Sequence, residues 1–119
     1  MFVVRKDQMA VLSEYIQREF EDRTAESLRK LYPEKVVAMG DGKLRELIRA
    51  GVKKAASYGI QAESDVQRYV ELMVKFSPDF DTNAATSWAG EILGLRSIDG
   101  PRKMRRLNNT IRKREGGIQ

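Results

Sequence analysis

The stretch YGIQAESDVQRYVELMVKFSPDFD, residues 58–81, decides the fold. Val66, Tyr69, Val70 and Met73 recur every three or four residues, which places them on one side of a helix starting near Glu63. That helix stops before Pro78, since proline disfavours helical geometry in the residue ahead of it. Upstream, Tyr58-Gly59 supplies the glycine that ends an earlier helix, and Ile60 re-enters the core. Asp65 falls in the first turn of the new helix, where a carboxylate suits the dipole.

The same pattern extends in both directions. Toward the N-terminus, Asp41 caps a helix with Leu44, Leu47, Ile48, Val52 and Ala55 on one face. VVAMGDG, residues 36–42, reads as a connection whose Val36, Val37 and Met39 plug the core. Before it, Met9, Leu12, Ile16 and Phe20, with Tyr15 beside them, describe an amphipathic helix capped by Asp7. Its pattern runs on through Leu28, Leu31 and Tyr32 to Pro33, and the polar EDRTAES, residues 21–27, is a place for a bend or break. Toward the C-terminus, a short helix follows Thr82-Asn83, carries Trp88, Ile92 and Leu93, and closes at Gly94. The turn SIDGP then launches a last helix with Met104, Leu107 and Ile111 inward.

No period-2 strand appears. The reading is therefore an all-α single-domain bundle of about five helices over residues 1–115, with a short extended arm at Val3-Val4 and a basic C-terminal helix. Residues 116–119, GGIQ, form a frayed tail. A length of 119 residues suits one core, because two would each be too small to bury enough apolar surface.

Composition narrows the chemistry more than any motif does. The chain has no Cys and no His, which excludes disulfide scaffolds, thiolate or imidazole metal sites, Cys nucleophiles and a Ser-His-Asp relay. No apolar run approaches the roughly 20 residues that span a bilayer, and MFVVRKDQ lacks the features of a signal peptide, so a cytoplasmic protein is expected. The net charge of +5 is unevenly placed. Residues 96–119 hold eight basic and two acidic groups, whereas residues 1–95 hold 14 basic and 15 acidic ones.

That excess lies in PRKMRRLNNTIRKREGG, residues 101–117. At 100° per residue Met104, Leu107 and Ile111 share one face. Arg102, Arg105, Arg106, Arg112 and Lys113 project mostly from the opposite one, with Lys103 and Arg114 flanking the apolar stripe. A bare nucleic-acid arm has no need of the stripe, and a docked helix does. The segment also lacks aromatic residues for stacking bases, leaving Asn108, Asn109 and the arginines as its base-edge readers. The expected role of the five cations is partner binding, with Trp88 as a half-exposed anchor beside them.

Other candidate sites weigh less. Asp79, Asp81 and Asn83 match the first three ligand positions of a calcium loop, but the sixth position is Ala84 and the twelfth Gly90. The simpler reading has Asp81 or Asn83 capping the Trp88 helix while Phe80 anchors the loop. Asp79, Asp81 and Glu91 also offer a carboxylate pair for acid–base work, with nothing to mark a cleft around them. Lys53 and Lys54 read as solvated, and Tyr58, Tyr69, Phe76 and Phe80 as core. No catalytic residue, metal site or cofactor is expected.

The run at 58–81, followed by SWAGEIL at 87–93, resembles a family of small uncharacterised bacterial helical proteins found beside type VI secretion spike, PAAR and polymorphic-toxin effectors. The similar positions are Tyr58, Gly59, Ile60, Glu63, Asp65, Val66, Tyr69, Asp79, Phe80, Asp81, Trp88, Ala89 and Leu93, together with the opening MFVVRKDQM and Leu-Tyr-Pro at 31–33. Ala62 departs from the pattern where Ser or Thr would cap the helix, a difference of roughly 1 kcal/mol. The basic tail lies outside the resemblance. The resemblance implies a non-catalytic accessory role, as an adaptor or chaperone that loads an effector or as an immunity protein that blocks a toxin. The expected partner is an effector or toxin with an acidic surface. The alternative is a small basic nucleic-acid-binding protein using its last helix.

Overall fold

In the computed structural model the backbone of residues 6–116 and the side chains of residues 14–116 are described. The chain is all-α. Among the described residues six α-helices follow one another: α1 (Lys6–Leu31), α2 (Pro33–Met39), α3 (Asp41–Ser57), α4 (Glu63–Lys75), α5 (Ser87–Leu93) and α6 (Gly100–Gly116). A 3₁₀ turn at Ala84–Thr86 leads into α5. No helix among the described residues is long and apolar enough to cross a membrane. The chain divides within α3 into two compact units, Met1–Ile48 and Arg49–Gln119.

In the first unit α1 runs unbroken through the polar stretch 21–27, where a break was anticipated. The buried stripe changes chemistry there without leaving its face. Phe20, Glu21, Thr24, Ala25 and Leu28 are all buried, at spacings of three and four. Glu21, Arg23, Ala25 and Glu26 are good helix formers and offset the weaker Asp22, Thr24 and Ser27. Ile16 and Tyr15, assigned to the apolar face from the sequence, are instead exposed. Asp7 lies inside α1 rather than ahead of it. Its side chain, those of Met9 and Leu12, the Val3-Val4 arm and residues 117–119 lie outside the described residues.

The segment read as a connection is helical, which raises the expected five helices to six. Pro33 pushes Tyr32 out of helical geometry (φ −134°, ψ 61°) and so ends α1, but its own fixed φ then opens α2 at the first position. α2 stops at Gly40, whose φ of +84° favours glycine. Only Val36 of its apolar residues is buried; Val37 is 81% exposed and Met39 half-buried. Asp41 sits in the first turn of α3, where its carboxylate accepts from Arg29 (2.8 Å) and faces Arg45. Arg45 also donates to Asp22 of α1 (2.6 Å).

In the second unit the anticipated faces of α4 and α6 are buried, while Val52 of α3 is half-buried. Val66, Tyr69, Val70 and Met73 of α4 lie in the core, as do Phe80, Leu93, Met104, Leu107 and Ile111. α3 ends in a Schellman motif, with Ile60 N–H on the Ala55 carbonyl (2.9 Å), Gly59 N–H on that of Ala56 (3.0 Å), and Gly59 at φ +81°. Gly51 lets α3 meet α4 closely, since a Cβ there would stand 2.7 Å from Val70 Cγ2. Tyr69 and Phe80 hold ring centroids 5.0 Å apart, and Phe76 meets Trp88 edge-on at 5.6 Å.

Among the described residues the fully buried Tyr69 hydroxyl has no hydrogen-bond partner, and burial raises its pKa well above the ordinary range. Removing an unsatisfied buried polar group costs no hydrogen bond. Tyr69→Phe should therefore leave stability unchanged or raise it by up to about 1 kcal/mol. Urea unfolding checks this, and a loss beyond about 1 kcal/mol would mean the hydroxyl has a partner.

Candidate functional site

The site is built on α6. Its start is fixed by Asp99, whose carboxylate accepts from the Arg102 N–H (3.0 Å) while its carbonyl accepts from that of Lys103 (3.0 Å). Met104, Leu107 and Ile111 pin its inner face. Four polar contacts then fix its sides. Lys103 is buried, donating to the Tyr58 carbonyl (3.0 Å) with its ammonium 5.9 Å from the centre of that ring. Arg68 of α4 donates to Asn108 (2.8 Å), Lys75 pairs with Glu115 (2.7 Å), and the Arg114 guanidinium stands 5.1 Å over Trp88.

What remains is a polar arc facing water. Arg102, Arg105, Arg106, Arg112 and Lys113 are all exposed. Among the described residues no carboxylate pairs with any of the five. Asn109 is exposed between them, whereas Asn108 is held by Arg68.

The structure does not bring Trp88 onto this arc. It is half-buried against Phe76 and reaches α6 at Arg114, roughly 140° around the helix from the middle of the cationic face. Trp88 is thus a flank residue, and an anchor there would serve a different edge of a partner.

The carboxylates singled out in the loop diverge. Asp81 turns inward, its side chain only 5% exposed, and accepts from Tyr58 OH (2.7 Å) and Lys54 Nζ (3.1 Å). Asp79 stays in solvent, accepting from Ser77 (2.7 Å) and Asn83 (3.4 Å), and these two hydrogen bonds lower its pKa. Glu91 is exposed. Among the described residues no three acidic side chains gather where they could hold a metal ion. Asn83 caps the 3₁₀ turn, accepting from the Ala85 N–H (2.8 Å), while Phe80 is fully buried.

Lys54 corrects the sequence reading: it is no solvated lysine, since it joins Asp81 and also donates to the Pro78 carbonyl (3.1 Å). Burial first, and then the hydrogen bond to Asp81, push the Tyr58 phenol up to about 12. In the first unit, a shallow groove of about 380 Å³ is lined by Pro33, Val36, Val37 and Leu44, with the Arg29–Asp41 pair at its rim. The sequence offered no signal for it, since Val37 read as a core residue and is 81% exposed. Comparison of the chain with protein-family models, with curated proteins and with solved structures finds no match.

Proposed function

We propose that the chain is a non-catalytic protein–protein interaction protein whose partner docks on the outer face of α6. The observation that carries this reading is the set of five exposed cations, unneutralised among the described residues, on a helix whose other face is buried. A rigid, uncompensated cationic face raises association rates with an acidic surface and selects against basic ones. The resemblance read from residues 58–93 supports a secreted bacterial effector or toxin as that partner, with the chain as its adaptor, chaperone or immunity protein.

Reversing Arg105, Arg106 and Arg112 to Glu should weaken partner binding by at least about tenfold, chiefly through the association rate, and should flatten its salt dependence. The side chains are exposed, so unfolding free energy should move by less than about 0.5 kcal/mol. Titration at low and moderate salt, beside urea unfolding, checks both. Binding that ignores salt and survives the reversal would remove the electrostatic basis.

One observation favours a second reading, nucleic-acid binding. The outward arc from Arg102 to Lys113 contains no apolar residue, whereas protein interfaces usually hold an apolar or aromatic centre. That reading requires DNA or RNA affinity that falls steeply with salt and is lost in the folded Arg105→Glu, Arg106→Glu, Arg112→Glu protein.

A further inference from the structure

We infer that α6 docks as a ridge into a two-walled acidic cleft of its protein partner, with Arg105 and Arg112 against one wall, Arg106 and Lys113 against the other, and Asn109 toward the floor. The inference rests on the reading that this face binds an acidic protein.

The geometry follows from helical spacing. Arg105 and Arg112 lie seven residues apart, so they fall within about 20° of each other and are separated by roughly 10 Å along the axis. Arg106 and Lys113 form a second row with the same relation. The two rows stand about 100° apart, and Asn109 falls midway between them, with Arg102 about 20° from it near the start of the helix. On a helix about 10–12 Å across, the rows are therefore on the order of 8 Å apart, and their long side chains diverge.

Diverging cations are poorly met by a single line of carboxylates. A flat acidic edge or an extended acidic tail neutralises one row and leaves the other in water. A cleft with carboxylates on both sides meets both rows at once and places Asn109, with its donors and its acceptor, against the floor. The flanks limit entry to this arc. Lys103, Asn108, Arg114 and Glu115 are already tied to the rest of the second unit, so the helix offers only its outer third.

A DNA major groove, about 12 Å wide, would also accept such a helix. Duplex binding, however, draws its affinity mainly from the number of phosphates neutralised. This face supplies five cations, and residues 1–95 are slightly acidic overall, with 15 acidic against 14 basic groups. The charge count fits a cleft with a few carboxylates better than a polyphosphate.

The test uses the full chain with Asn109→p-benzoylphenylalanine, irradiated in nuclease-treated lysate of the source organism. The protein cross-linked there is then purified and titrated against wild type, Arg105→Glu/Arg112→Glu, Arg106→Glu/Lys113→Glu and the fourfold variant, with a short DNA duplex as a second probe. Circular dichroism confirms that each variant is folded. The expected result is a loss of at least about tenfold for each row and a larger loss for all four. A loss confined to one row overturns the ridge geometry and leaves an acidic partner on α6 standing. Unchanged binding in both row variants, no cross-linked protein, or tighter binding to the duplex than to the protein overturns both.

Discussion

Replacing Gly100 by alanine should destabilise the protein by about 3 kcal/mol, at the upper end of ordinary overpacking. Gly100 is buried at the first position of α6. A Cβ there would collide with the Gly59 carbonyl oxygen, and would stand 2.7 Å from that carbonyl's carbon and 2.9 Å from Ile60 Cα. All three are backbone atoms, so no side chain can rotate away. The turn they belong to is itself fixed, because Gly59 holds a positive φ and Ile60 N–H closes the Schellman bond. Relief must come from moving either the end of α3 or the start of α6. Gly42→Ala, where the new Cβ meets nothing within 4 Å, serves as the matched control. It should be neutral or stabilising by up to about 1 kcal/mol, because glycine is a poor helix former. Urea unfolding of the two variants checks the pair, and a Gly100→Ala protein as stable as its control would mean that the helices do not approach this closely.

That contact joins residues 41 apart in sequence, and it marks what sequence reading reaches. Periodicity places Val66, Tyr69, Val70, Met73, Met104, Leu107 and Ile111 because each helix repeats its inward face locally. It also places the helix stop at Gly59, where one residue type carries the signal. It fails at α2, where the seven residues from Pro33 to Met39 are too few to show a period and the proline reads equally as a stop or a start. It fails again in α1, where Thr24 and Glu21 take buried positions that polarity alone assigns to solvent.

The candidate site divides in the same way. The exposure of Arg102, Arg105, Arg106, Arg112 and Lys113 was legible, because their angle to a buried stripe depends only on helix geometry. Their lack of carboxylate partners among the described residues, the displacement of Trp88 to the flank and the capture of Lys103 by the Tyr58 carbonyl depend on which helices meet. So does the inward turn of Asp81, whose partner Lys54 lies 27 residues earlier.

Asp81→Ala should cost about 2–3 kcal/mol. The carboxylate is nearly inaccessible and serves two donors, Tyr58 OH and Lys54 Nζ. Removing one partner of a fully buried pair typically costs 3–5 kcal/mol. Here Lys54 is 36% exposed and can turn to water while keeping the Pro78 carbonyl, so the loss is smaller. Asp81→Asn retains an acceptor for Tyr58 and should lose only about half as much. Tyr58 reports on the contact directly, since its phenol is raised from 10.0 to about 12, most by burial and then by Asp81. In Asp81→Ala its ultraviolet titration should fall part of the way back toward 10 and stay raised by the burial that remains. The sign for stability follows from the same shift. A phenol whose folded pKa lies above its unfolded value contributes stability in full below pH 10 and loses it as pH climbs toward 12. Tyr58→Phe should remove that part of the alkaline decline. The consequence reaches the cationic face, because the Tyr58 carbonyl accepts from Lys103 of α6. If Asp81→Ala loosens Tyr58, amide exchange in the first turns of α6 should quicken while that of α4 does not. An Asp81→Ala protein with wild-type stability and an unmoved Tyr58 titration would mean that α6 is held by its apolar stripe without help from this network.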